Sequence, residues 1–319
     1  MSKILVTGAA GFIGSWVIQA LKAKNVDVVG LDNFNDYYDV TLKRDRVKAL
    51  LSDVKIYETD LVDFEGLLKI FTENKISQIC HLGAQAGIKH SLTQPFSYEL
   101  SNNHGTLNLL ELCRKFDIKS FIFASSSSVY GEKNKAPFSE SAMTDNPISL
   151  YAATKKYNEL LAYSYHHLYG IHCTGLRFFT VYGPWGRPDM AYFKFTQNIF
   201  NELPLEVSSG GQIKRDFTFI SDVVSGVLSA LEKNYAFEIF NLGNSKPIDL
   251  NSLISLIEKK LKKKAKLNFI ERDSIDIFET AADISKAKKL LGFNPQINIG
   301  EGMERFLEWY EKWSLNRGI

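Results

Sequence analysis

Tyr151 and Lys155 stand four apart in Tyr151-Ala152-Ala153-Thr154-Lys155, a stretch that reads as helix. That spacing puts a phenol and an ammonium on one helical face. A tyrosine is a poor base at neutral pH, with a reference pKa of about 10. One cation about 4 Å away contributes roughly 4 kcal/mol at an effective dielectric near 20. That is enough to bring the phenol to about 7. The expected chemistry is removal of a proton from a substrate hydroxyl by a lysine-tuned tyrosine. The serine run Ser125 to Ser128 closes an apolar stretch about 25 residues upstream. A serine hydroxyl there would position the substrate oxygen and relay its proton. The pair alone decides little, because the chain has 14 tyrosines.

The elements that must hold these groups alternate along the first half. Strand-like runs are Ile4 to Val6, Val26 to Leu31, Val54 to Tyr57, Gln78 to Leu82 and Phe121 to Ala124. Helical patterns lie between them, as at Phe12 to Lys24 and Asn103 to Lys115, and a further strand is expected at Cys173 to Phe179. A β-α-β-α series with continuous apolar strands predicts an α/β, Rossmann-type doubly wound parallel sheet covered on both faces. After Gly183 the texture changes, punctuated by Pro184, Gly186, Pro188, Pro204 and Gly210-Gly211. We therefore expect residues 1–183 to form a dinucleotide-binding domain and residues 184–319 mainly a smaller, mixed substrate domain. A return strand near 237–243 would rejoin the main sheet and make that boundary discontinuous.

Gly8-Ala9-Ala10-Gly11-Phe12-Ile13-Gly14 follows the first strand and opens the first helix. The glycines permit a tight turn and a close backbone approach to a pyrophosphate, which the helix N-terminus then faces. Asp32 ends the second strand 18 residues after Gly14. A carboxylate there accepts from ribose hydroxyls and repels a 2′-phosphate, favouring NAD over NADP. Lys155 would then bond the nicotinamide ribose as well as tune Tyr151. Asp60-Leu61 ends the third strand, either beside the adenine or as a helix cap. His81-Leu82-Gly83-Ala84 ends the fourth. Small residues such as Ala84 beside Leu82 would let a cofactor pack against backbone, and His81 reads as structural.

Composition is ordinary for a globular chain: 45% hydrophobic, 23% charged, net charge +2. The basic run from Lys259 to Lys266 follows Leu253, Ile254, Ile257 and Leu261, so it reads as the solvated face of an amphipathic helix. No nucleic-acid partner is expected. Cys80, Cys113 and Cys173 lie among apolar residues and lack the spacing of a metal site. They read as buried thiols in a reducing compartment. No signal peptide and no run of about 20 apolar residues is seen. The expectation is a cytoplasmic protein with no metal and no membrane span.

These residues resemble the extended short-chain dehydrogenase/reductase family, in its NAD-dependent nucleotide-sugar epimerase/dehydratase branch. The resemblance runs through nearly the whole chain. It is carried by the glycine loop, His81 to Gly87, Ser125-Ser126-Ser127-Ser128-Val129-Tyr130-Gly131, and Tyr151 with Lys155. Asp32-Asn33-Phe34-Asn35-Asp36-Tyr37-Tyr38-Asp39 and the stretch Arg177 to Met190 look like UDP-glucuronate 4-epimerases. The resemblance implies a bound NAD, with Asn33 and Asn35 joining Asp32 near it. Ser126, four before Tyr130, takes the place of the family's catalytic serine or threonine. It also implies a UDP-sugar substrate that is transiently oxidised at C4, and a homodimer through a helix bundle made by Pro95 to Lys115 and Ser149 to Tyr169.

Sugar 4,6-dehydratases in this family carry an Asp-Glu pair beside the catalytic threonine, and related decarboxylases a Glu. This chain has Ser127 and Ser128 there. Hydroxyls suit a carboxylate instead, so Ser127, Ser128 and Thr180 are expected to hold the C6 carboxylate of a hexuronic acid. Arg187 and Arg215 match substrate arginines and would serve the diphosphate. Asp276 stands where an acid contacts the uridine ribose, although a Gly-Asp-Val pattern has become Ile275-Asp276-Ile277. Lys89 and Asn102 occupy further substrate-side positions. The rival readings are a UDP-glucose 4-epimerase, a UDP-glucuronate decarboxylase and a silent NAD-binding sensor.

Overall fold

The computed structural model describes residues 2–271 and 277–317. Seven strands form one sheet: β1 (Lys3–Thr7), β2 (Val28–Asp32), β3 (Ile56–Glu58), β4 (Ile76–His81), β5 (Ser120–Ser126), β6 (His172–Phe178) and, after an excursion, β10 (Phe237–Leu242). Their order is β3-β2-β1-β4-β5-β6-β10, and every pair is parallel. The connection reverses direction between β1 and β4. In such sheets the crevice at that switch point, outside the carboxyl ends of the strands, is where ligands bind. Register sets Thr7 beside His81, so the loops starting at Gly8 and Leu82 leave the sheet side by side.

Alternation along the strands sends neighbouring side chains to opposite faces. Ile4, Val6, Cys80 and Ile122 join one core with α1 (Phe12–Ala23) and α9 (Ile220–Lys233). Leu5, Ile79, Phe121 and Phe123 join the other, beneath α3 (Phe64–Glu73), α6 (Gly105–Lys115) and α7 (Leu150–Tyr169). Phe121 and Phe123 are fully buried, and each such side chain contributes about 1.5–3 kcal/mol. α2 (Val40–Leu50) follows β2 and packs on α1.

The stretch from Pro95 is not the single helix its pattern suggests. Two single turns, α4 (His90–Thr93) and α5 (Pro95–Tyr98), lead into a π-helical segment, Glu99–His104, before α6. The wider turn brings Asn102 inward, where it is fully buried.

After β6 the chain builds a second layer. β7 (Thr180–Tyr182) pairs with β9 (Lys214–Phe219), which pairs with β11 (Pro247–Asp249); β8 (Pro204–Ser208) pairs with β12 (Lys266–Ile270). Helices α8 (Ala191–Phe200), α10 (Leu250–Leu261), α11 (Ser285–Leu291) and α12 (Ile299–Arg317) complete it. The basic run at the end of α10 is met by acids: Lys260 bridges to Glu304 and Glu308, Lys263 to Glu202, and Lys264 to Glu258. Trp309 of α12 packs on Trp185 at 5.1 Å and stacks on Trp313 at 5.4 Å. From the other side Trp16 Nε1 donates to Pro184 O (3.1 Å). No helix of the described residues is long and apolar enough to cross a membrane.

Candidate active site

A cleft of about 1010 Å³ runs along the carboxyl edge of the sheet and under the second layer. Its first wall is the glycine loop, Gly8, Gly11, Phe12, Ile13 and Gly14. Gly8 has φ +69°, and a Cβ there would lie 2.8 Å from Gly83 N. A Cβ on Gly14 would collide with Gly8 O. The loop is thus a backbone surface with no room for side chains, the shape a pyrophosphate needs. Asp32 Oδ2 accepts from Ala10 N (3.0 Å) and Oδ1 from Phe34 N (2.8 Å). Each oxygen keeps a second lone pair for a ribose hydroxyl, and Asp32 lines the cleft.

Asn33 Nδ2 donates to Asp60 Oδ2 (2.7 Å), while Asp60 Oδ1 accepts from Val62 N (3.0 Å). Asp60 therefore turns the chain and lines the cleft with Leu61, while the helix cap is Asp63, whose Oδ1 accepts from Gly66 N (3.0 Å). Leu82 and Ala84 line the cleft beside that loop. His81 does not line the cleft. Its ring is bonded to Thr7 Oγ1 (2.7 Å) and Thr106 Oγ1 (3.1 Å). Burial, with the Lys155 charge, pushes its pKa down to about 3 and keeps the imidazole neutral.

At the far end α7 presents Tyr151 and Lys155. Ser149 caps this helix by accepting from Ala152 N (3.1 Å), and Gly170 ends it in the left-handed region. The first turn is therefore fixed beside the end of β5. Lys155 Nζ donates to Ala124 O (3.0 Å) and lies 6.0 Å from the centre of the Tyr151 ring. The expected lowering of the tyrosine is not what this geometry gives. Burial raises the Tyr151 pKa, against a hydrogen bond from Ser126 and the charge of Arg187. Burial also brings Lys155 down to about 8. A cation at 4 Å in a wet site was the wrong picture, because desolvation acts on both groups.

Ser126 ends β5, and Ser128 leans on it: Ser128 Oγ donates to Ser126 Oγ (2.9 Å) and Ser128 N to the same atom (3.2 Å). Ser127 and Thr180 line the same wall. Arg187 grips Asp189 with Nε and Nη2 (3.0 and 2.5 Å), and Tyr37 OH donates to Asp189 Oδ2 (3.1 Å). Since its charge acts on the Tyr151 phenol, Arg187 stands toward the reacting end. Arg215 Nη1 donates to Ile277 O (2.7 Å), and both Arg215 and Lys89 line the cleft. Asp276 lies outside the described residues. Asn102 does not reach the cleft. It holds Gln85, bonding to its N (2.8 Å) and O (3.0 Å), and donates to Thr154 Oγ1 (3.0 Å). It therefore fastens a loop.

A family model described as the NAD dependent epimerase/dehydratase family matches residues 4–243. The chain belongs to this family. It is 46% identical to the UDP-glucuronate 4-epimerase of Thermodesulfobacterium geofontis, over 97% of this chain and 96% of that protein. Its fold superposes with TM-score 0.89 and 38% identity on a Bacillus cereus UDP-glucuronic acid 4-epimerase solved with UDP-glucuronic acid and NAD, covering 98% and 99% of the two chains. A UDP-glucose 4-epimerase of Thermotoga maritima, solved with UDP-glucose, gives TM-score 0.90 at 30% identity, covering 98% and 99%.

This epimerase/dehydratase has two groups of site residues that its sequence did not announce. Lys43 Nζ reaches the cleft and donates to Asn35 O and Oδ1 (both 2.7 Å). The signal was its i, i+3 spacing from Arg46 on a helix otherwise rich in surface charge. Behind the serine run lies a buried ion pair. Arg177 Nε and Nη2 donate to Glu159 (both 2.8 Å), and Ser125 Oγ donates to Glu159 Oε1 (2.6 Å). Both charged side chains are under a tenth exposed. Glu159→Ala leaves Arg177 buried without its carboxylate, an expected loss of about 3–5 kcal/mol. Urea denaturation would read that loss, and a stability equal to wild type would refute it.

Proposed function

We propose that the protein interconverts UDP-glucuronate and UDP-galacturonate, inverting C4 of the sugar through a transient 4-keto intermediate with NAD as cofactor. The observation that carries this reading is the serine run without an acid at the end of β5, whose Ser126 meets the Tyr151 phenol in the cleft. NAD, when bound, supplies the acceptor and then the donor of the C4 hydride. Gly8, Gly11, Phe12, Ile13 and Gly14 would hold its pyrophosphate. Asp32, Asn33 and Asn35 would hold the adenosine ribose, Asp60 and Leu61 the adenine, and Lys155 the nicotinamide ribose, with Leu82 and Ala84 packing alongside. Tyr151, bridged by Ser126, takes the proton of the C4 hydroxyl as its hydride leaves. The same proton returns to the oxygen when the ketone is reduced on its other face, so nothing is consumed. Residues 1–183 with the return strand serve the cofactor, and residues 184–319 mainly the sugar nucleotide.

Elimination needs a carboxylic acid that can give and take a proton at the sugar. Asp189 is the carboxyl that acts on Tyr151. Burial works to raise its pKa, but Arg187 outweighs that and holds it below the usual range. It has no proton to give at neutral pH. Ser127, Ser128 and Thr180 would instead bind the C6 carboxylate. The intermediate is a β-keto acid, which loses carbon dioxide when the carboxylate bond aligns with the carbonyl π system. Holding the carboxylate out of that alignment protects it. Alanine at both Ser127 and Ser128 is expected to weaken UDP-glucuronate binding about 10- to 100-fold, the worth of one or two hydrogen bonds to a charge. UDP-glucose binding should change little, and an unchanged affinity for UDP-glucuronate would end the idea.

Exposed apolar side chains on α7 and the segment before α6 support a homodimer. Leu160, Tyr163, Leu168, Leu100 and Phe96 are all more than half exposed, a concentration that marks an interface. Light scattering should give twice the chain mass, and a monomer would remove the proposal. The unpaired, buried cysteines suit a reducing compartment, and we place the enzyme in the cytoplasm.

The second reading is a UDP-glucose 4-epimerase, favoured by the Thermotoga maritima likeness. Purified protein incubated separately with each UDP-sugar, with and without added NAD, distinguishes them. UDP-galacturonate from UDP-glucuronate alone is the expected result. UDP-xylose or a keto-deoxy sugar would overturn it.

A further inference from the structure

Arg46 is fully buried on α2, yet no carboxylate among the described residues pairs with it. Its guanidinium is spent on three pieces of chain outside α2. Nη1 donates to Ala10 O (3.0 Å) in the glycine loop and to Tyr38 OH (2.6 Å). Nε donates to Trp185 O (2.7 Å) and Nη2 to Gly186 O (2.9 Å). Four of its five N–H groups are thereby used. Ala10 is the residue whose N–H binds Asp32, so one contact reaches the cofactor wall. The Trp185 and Gly186 contacts hold a turn in which Trp185 has φ +65°, a conformation a non-glycine residue keeps only when its surroundings impose it. Arg187 follows that turn directly. A planar fork suits such a three-way tie better than a point charge.

We infer that Arg46 is a positioning residue that locks the cofactor loop and the Trp185-Gly186 turn into one unit, and so aims Arg187 at the sugar. The inference rests on the substrate reading above. The turn is also held from outside by Trp16 and Trp309. Losing Arg46 should therefore loosen its aim without unfolding the lobe.

The test uses holoenzyme carrying Tyr151→Phe, so that bound sugar is not turned over, and titrates UDP-glucuronate and UDP by calorimetry. Arg46→Met is expected to weaken UDP-glucuronate at least tenfold and UDP less than threefold, because UDP has no hexuronate to meet Arg187. Arg46→Lys, which keeps the charge and loses the fork, should recover part of the difference. Equal weakening of both ligands, or no change in either, overturns the inference, as would a Lys variant no better than Met. If Arg46→Met does not fold, the Lys variant with Tyr38→Phe gives the same comparison. Failure of the Tyr151→Phe parent itself to bind UDP-glucuronate would sink the substrate reading instead, so the two failures are distinguishable.

Discussion

Tyr151→Phe is expected to lower kcat by about 10²–10⁴-fold, the usual worth of a positioned acid–base group, while the protein still binds NAD and UDP-glucuronate. The phenyl ring preserves the edge-on contact with Tyr98 at 6.2 Å between ring centres. Only the oxygen that meets Ser126 is lost. Burial raises the Tyr151 pKa, so the phenolate that takes the proton is scarcer at neutral pH than that of a tyrosine in water. Ser126 and Arg187 act in the opposite sense and offset part of that rise. Turnover within a factor of ten of wild type would mean that another group takes the proton.

The second large effect runs in opposite directions for stability and activity. Lys155→Met should abolish turnover and make the NAD-free protein more stable. Burial lowers the lysine from 10.5 to about 8, which corresponds to about 3 kcal/mol held against folding at neutral pH. Part is given back when Ala124 O loses its donor, so a net gain of about 1–2 kcal/mol is expected. The pH dependence fixes the cause. Between about 8 and 10.5 the unfolded chain binds the lysine proton and the folded chain does not. Wild-type stability therefore rises with pH across that window, and the advantage of Lys155→Met shrinks to nothing. Denaturant titrations at pH 7 and pH 10 decide it, and an advantage that is constant or grows with pH would refute it.

What the sequence made legible was contiguous. The glycine loop, Asp32, the serine run and the Tyr151–Lys155 pair each lie at the end of one strand or on one helical turn, so local pattern locates them. What it hid depended on register and distance. Glu159 meets Ser125 and Arg177 because β5 and β6 pair Ser125 with Arg177 and α7 crosses above them. Arg46 finds partners 36 and 140 residues away. The burial of Asn102 is hidden likewise, because it comes with a π turn that interrupts the helical pattern. The tyrosine pKa was misjudged because pairwise charge can be read from spacing, whereas burial cannot.

All four tryptophans of the chain, Trp16, Trp185, Trp309 and Trp313, gather around the turn that precedes Arg187. Near-ultraviolet emission from this protein is therefore a signal from one location. Excited at the red edge of indole absorption, the molecule reports the state of the single turn that leads into Arg187, without any introduced label. A spectral change on mixing with ligand, followed in a stopped-flow instrument, would time the settling of that turn separately from the slower chemistry at C4.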